Sequence, residues 1–308
     1  MKHQHIYIPI LALFFLVACE RFLDQDLEVS PPKYDKQLAI RQFHSNLDDT
    51  LVVAVSRNFG ILETIDEKDY AVTDARVEWI EDGHSIQVLS LDTAFKPSAY
   101  TMVLAKPLQS GKFYEIRVSH PDFPTISAQQ KMPSLVPLDS VIYEKDGALS
   151  QEGNRLNQVR FYFKDPPGEE NYYEVLLVAN STCLKYLRRD PQTNKFVYDT
   201  LDCEISLFLD GATHPSAHPG DYSMLITDKT FNGSNFTFGV NFGNWFTIKS
   251  IKAVFRTLTR ENYLYKVSRN RFEEAQYNPL SDPVILYSNV QNGIGVFGLE
   301  TEQSRLIK

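Results

Sequence analysis

The chain has 308 residues, with 31 Lys and Arg against 39 Asp and Glu and a net charge of −8. Phosphate binding needs clustered Lys and Arg, so this balance argues against a nucleic-acid partner. The length exceeds what one core usually organises, which makes two domains the expectation.

The N-terminus opens with Lys2, His3 and His5, followed by an apolar run from Ile6 to Val17 broken only by Pro9. A bilayer-spanning helix needs roughly 20 apolar residues, so this run reads as the core of a signal peptide over residues 1–18. The alternative is a buried N-terminal element of a cytosolic protein. Leu16-Val17-Ala18-Cys19 resembles the lipobox of a bacterial lipoprotein, in which cleavage precedes the cysteine and the cysteine carries lipid. On that reading Cys19 is the lipidation site and the only membrane attachment. Removing residues 1–18 deletes Lys2 and leaves 30 basic against 39 acidic residues, a net charge of −9.

Residues 19–35 carry Asp24, Asp26, Glu28, Pro31 and Pro32 without periodicity, as a flexible tether does. The acidic residues loosely resemble an export signal of surface-exposed lipoproteins; an ordinary solvated tether is the alternative.

Leu51–Val55, Ala75–Ile80, Phe113–Val118 and Val159–Phe163 are short apolar or alternating runs bounded by Gly, Pro, Asp or Asn. Glu81-Asp82-Gly83-His84 supplies a hairpin turn between two of them. With no amphipathic helices interleaved, the pattern predicts a mainly β chain of antiparallel sandwiches. Prolines around Met132–Pro137 mark a link. They divide an immunoglobulin-like or prealbumin-like sandwich at 36–134 from a larger antiparallel β domain at 135–300, with a tail at 301–308.

Cys183 and Cys203 flank a turn at Asp190-Pro191-Gln192-Thr193-Asn194. A hairpin there brings them within bridging distance, and a disulfide of that loop length stabilises by roughly 3 kcal/mol. The alternative is two unpaired thiols. Further on, Phe236, Phe238, Val240 and Phe242 alternate as one strand face, whereas Phe231 and Trp245 adjoin turn residues. These two are the candidates for exposed aromatic contacts with a sugar or a protein partner. Thr259 caps a helix predicted over 260–276, the one substantial helix, with Leu264, Val267 and Phe272 near one face.

No catalytic constellation emerges. His214 and His218 have helical ligand spacing, but Pro215 and Pro219 deny the helix, so no metal site is expected. Neither a Gly-x-Ser-x-Gly elbow nor His-Glu-x-x-His occurs. Gly293-Ile294-Gly295-Val296-Phe297-Gly298 matches the dinucleotide fingerprint literally, yet the helix and distal acidic residue it needs have no room to follow. No cofactor is expected, and the glycines read as backbone permissiveness.

Ser288–Gly298 resembles the terminal signature of the Bacteroidota lipoproteins grouped as the domain of unknown function family 4249. Asp165-Pro166-Pro167-Gly168 with Asn171-Tyr172-Tyr173, and Asp228–Gly233, are similar to two internal landmarks of that family. The resemblance implies an accessory lipoprotein of the outer membrane, associated with a TonB-dependent receptor, with no catalytic residues to carry over. The expected function is therefore binding, with the protein held on the periplasmic face or, slightly favoured, on the cell surface. A surface hydrolase or glycan-processing enzyme, and a structural or adhesion protein, are the alternatives.

Overall fold

A computed structural model describes residues 33–60, 62–220, 222–243, 248–278 and 280–308. Cys19, the leader and most of the tether lie outside the described residues, as does Trp245. The chain divides into two units; the described residues of the smaller are 33–35, 59, 60 and 62–64, and the larger holds 36–58 and the described residues from 65 on. In the smaller one, the Tyr34 hydroxyl and the Gly60 amide both donate to Glu63 Oε2.

The larger unit is built on two hydrophobic cores. Strands β1 (Leu38–Ser45), β2 (Thr50–Arg57), β5 (Ser90–Asp92) and β6 (Ala99–Val103) lie on one side of the first. A second sheet in the order β4-β3-β7-β8 faces them, formed by β3 (Arg76–Glu81), β4 (His84–Val88), β7 (Phe113–His120) and β8 (Phe123–Lys131). Alternation decides which side chains turn inward: Leu51, Val53 and Val55 from β2 meet Tyr114, Ile116 and Val118 from β7. Trp79 stacks on Tyr114 with centroids 5.2 Å apart.

The second core is sandwiched in the same way. One layer holds β9 (Leu138–Leu149), β10 (Arg155–Lys164), β13 (Gly211–Ala212) and β16 (Asn235–Phe242). The facing layer includes β11 (Tyr172–Arg189), β14 (His218–Pro219), β15 (Ser223–Thr227) and β17 (Ile248–Leu258). Phe161, Phe238 and Val240 meet Val175, Leu177 and Phe255 between them. Among the described residues β12 (Phe196–Ser206) pairs with β11 alone.

β18 (Ile294–Leu306) joins the two. Its first half runs parallel to β1, from Ala39↔Ile294 to Ser45↔Glu300. Its second half runs antiparallel to β17, from Leu258↔Glu300 to Lys252↔Leu306. A ten-stranded sheet thereby serves both cores, and Phe297 and Leu299 from near the chain's far end complete the first. Two expectations are corrected here. Residues 301–306 are strand and not tail, because they satisfy the open edge of β17, and the sheets include one parallel ladder.

The mainly β class and the single helix agree with the sequence reading. Helix α1 (Arg260–Gln276) is the one α-helix among the described residues, and Thr259 Oγ1 accepts from the Asn262 amide at its start.

Candidate functional site

Helix α1 lies on the outer face of the large sheet, where Tyr263 and Val267 pack on Tyr172, Leu225 and Leu258. Beside this small apolar cluster the same face carries charge. Glu174 on β11 stands opposite Arg256 on β17, and Arg256 stands opposite Glu302 on β18. Lys266 comes down from the helix to Glu174 Oε2 at 2.5 Å and Glu300 Oε2 at 3.4 Å. Arg256 bridges Glu174 at 3.1 Å, Glu300 at 3.2 Å and Glu302 at 2.7 Å, and Asn262 Nδ2 donates to Glu300 at 3.0 Å. Burial alone would raise the Glu174 carboxyl, but Lys266 and Arg256 outweigh it and hold it down at about 2. Glu174 and Glu300 in turn raise the Lys266 ammonium against its own burial. Every charge meets an opposite one, which makes the cluster a clamp for α1.

The two internal landmarks of the sequence meet in space. Asp165 accepts from the Tyr173 hydroxyl on one oxygen and from the Gly233 amide, at 2.8 Å, on the other. Asp228 Oδ2 accepts from Asn171 Nδ2 at 3.4 Å and Asn232 Nδ2 at 3.1 Å, while Asn232 Oδ1 accepts from the Gly168 amide. Gly233 has φ +74° and lies against Pro167, where a Cβ would stand 2.9 Å from the proline Cβ. Asp228 Oδ1 is buried with no hydrogen-bond partner among the described residues. Burial, then the neighbouring Asp165 charge, push the Asp228 carboxyl up.

This turn overturns one expectation. Phe231 is only 7% exposed and stacks on Phe236 at 3.6 Å, with Phe163 and Tyr173 close by. The turn residues around it fold inward through the Asp165 and Asp228 bonds, which drives its ring into the core. It is no surface contact.

The outer side of the 165–171 loop borders a cleft of about 680 Å³. Its other walls are the end of β8 with the start of the link, residues 129–134, and the start of α1. Glu169, Glu170 and Glu261 line it together with Lys131 and Arg260. The Tyr172 hydroxyl donates to Glu170 Oε2 at 2.7 Å at its edge. Burial, then this carboxylate, raise the Tyr172 phenol.

Cys183 and Cys203 are bonded, with Cα atoms 5.8 Å apart, as the hairpin reading expected. His214 is engaged at both ring nitrogens, by Ser216 and Thr230, and no group of three or more His, Cys, Asp or Glu among the described residues has metal-binding geometry. The terminal glycines are architectural. A Cβ at Gly293 would stand 2.7 Å from the Leu38 carbonyl oxygen, one at Gly295, where φ is +114°, would strike the Ile40 carbonyl, and one at Gly298 would meet Asn262 and Phe43. Asn289 secures the same segment by donating to the Phe297 carbonyl and accepting from its amide. Sequence reading missed Tyr186, Phe196 and Tyr198, which are exposed near the end of the disulfide hairpin; counting outward from the turn at Asp190 would have put Tyr186 on the other face, and the register shift between Tyr186 and Arg188 is what brings the three together.

No curated protein matches the chain. A family model described as a domain of unknown function (DUF4249) matches residues 24–305, and so takes in both landmark loops, the helix clamp and the terminal glycine strand. The chain belongs to that family.

Proposed function

We propose that this is a lipid-anchored accessory protein of the Bacteroidota outer membrane that binds cargo or a partner and works with a TonB-dependent receptor in uptake, without chemistry of its own. The observation that carries the reading is the cleft bordered by the Asp165–Tyr172 landmark, whose volume of about 680 Å³ lies within the range of small-molecule sites. Its walls mix carboxylates with Lys131 and Arg260, as suits a polar ligand or a charged loop of a partner. The lipobox-like Leu16–Cys19 supplies the anchor.

Pull-down of the lipidated protein from outer membranes, read by mass spectrometry, tests the receptor. An integral barrel is expected among the recovered proteins, in lower yield from a Glu169→Arg, Glu170→Arg variant. Recovery of no barrel counts against the receptor reading. Cys19→Ala tests the anchor separately and should release the protein from the membrane fraction.

A further inference from the structure

Among the described residues, β11 has only β12 beside it beyond Ser181↔Ile248, its last pair with β17. Residues 182–202 therefore leave the sheet as a two-stranded ribbon. Such a ribbon is marginal alone in water, and this one is held at both ends. The Cys183–Cys203 bond closes its base, and Asp190 Oδ1 accepts from the Gln192 and Thr193 amides at its turn.

The ribbon is apolar where solvent would favour polar residues. Leu184↔Thr200, Tyr186↔Tyr198 and Arg189↔Phe196 share one face. Tyr186 lies 5.9 Å from Phe196 and 6.1 Å from Tyr198, and the Arg189 guanidinium sits 5.6 Å from the Phe196 centroid. Leu184, Tyr186, Phe196 and Tyr198 are between 49% and 68% exposed. Leu201, which pairs with Cys183 on the opposite face, is exposed as well, and so is Leu187 at the register shift. A flat partner surface covers one face of a ribbon. Apolar groups on both faces call for a medium that surrounds it.

Charge narrows the medium. Residues 182–202 hold four cations, Lys185, Arg188, Arg189 and Lys195, against three carboxylates. Asp190 is tied to the turn amides, Asp199 stands opposite Lys185, and Asp202 pairs with Lys249 at the foot of β17. This is a basic arm on a chain of net charge −8. Tyrosine and phenylalanine with flanking Lys and Arg suit the headgroup layer of a bilayer, where rings lie at the interface and cations meet phosphate.

We propose that the 182–202 ribbon docks on an anionic lipid surface, with Tyr186, Phe196 and Tyr198 at headgroup depth. The inference does not rest on the lipid at Cys19, and the test removes it. The mature chain carrying Cys19→Ser is sedimented with vesicles of phosphatidylcholine alone or mixed with phosphatidylglycerol. Binding is expected about tenfold stronger to the anionic vesicles and weaker in high salt. Tyr186→Ser with Phe196→Ser and Tyr198→Ser, and separately Lys185→Glu with Arg188→Glu and Arg189→Glu, should each lower it about tenfold while thermal unfolding is unchanged. Equal or absent binding of the unsubstituted chain to the two vesicle types overturns the proposal without reference to any variant. So does capture of a membrane protein that depends on the three aromatic residues without vesicle binding, which would assign the ribbon to a protein partner.

Discussion

Lys266 on helix α1 sits 2.5 Å from Glu174 on β11, across a boundary that both side chains reach only by leaving water. The pair, with Arg256 and Glu300, decides where the helix rests.

Removing Lys266 leaves Glu174, Glu300 and Glu302 to share Arg256 alone. Lys266→Met should destabilise by about 3 kcal/mol, and adding Glu174→Gln to it should recover a substantial part, since one excess carboxylate is then gone. Urea unfolding of the two single variants and the double variant measures the coupling. Additive losses would mean that the two side chains do not act as a pair.

Acid should loosen the same clamp. Glu174 titrates near about 4.3 when unfolded and at about 2 when folded. Its contribution, about 3 kcal/mol, is therefore complete above about pH 4.3 and is lost progressively as pH falls toward 2. Unfolding free energy measured across that window should slope less steeply in Glu174→Gln than in the unsubstituted protein.

The two buried aspartates should respond differently to the same change. Asp165→Asn removes an acceptor from either Tyr173 or Gly233 and should cost about 2 kcal/mol. Asp228→Asn also removes a raised carboxyl beside Asp165, so it should cost less than half as much. Chemical denaturation of both variants at neutral pH reads the difference.

Reducing Cys183–Cys203 should free the ribbon before it unfolds the protein. None of the residues between the cysteines belongs to either large core. Trypsin should then cut at Lys185, Arg188 and Arg189 many times faster under reduction, with a loss of global stability below roughly 3 kcal/mol. Mass spectrometry of the early fragments locates the cuts.

Glycine replacements should split by position. Gly295→Ala forces a methyl group onto the Ile40 carbonyl at φ +114° and should prevent stable folding. Gly83→Ala, at φ +81° in open space, should cost only about 1 kcal/mol. Soluble yield and thermal unfolding separate the two.

Local features were the ones legible in the sequence. The turn at Asp190 placed Cys183 near Cys203 because a hairpin's register follows from its turn, and Thr259 marked the helix start because its cap lies three residues from its partner. Landmarks at Asp165 and Asp228 were visible singly; that they bond the same loop required the fold. Glu174, Arg256, Lys266 and Glu300 carried no signal, since each is an ordinary charged residue until three strands and a helix bring them together. Phe231 misled because turn residues usually mark exposure, and here they mark a turn folded into the core.

β18 sets an order of events. Ala39 pairs with Ile294, 255 positions later, so β1 and its hairpin partner β2 are made long before the strand on the other side of β1. The first core, which takes Phe297 and Leu299, cannot close while the chain is still emerging. Such distant pairing is slow to form. Until β18 docks, the outer edge of β1 keeps its backbone groups unpaired and the hollow that Phe297 and Leu299 fill stays wet, so the last step of folding is the one that seals the first core.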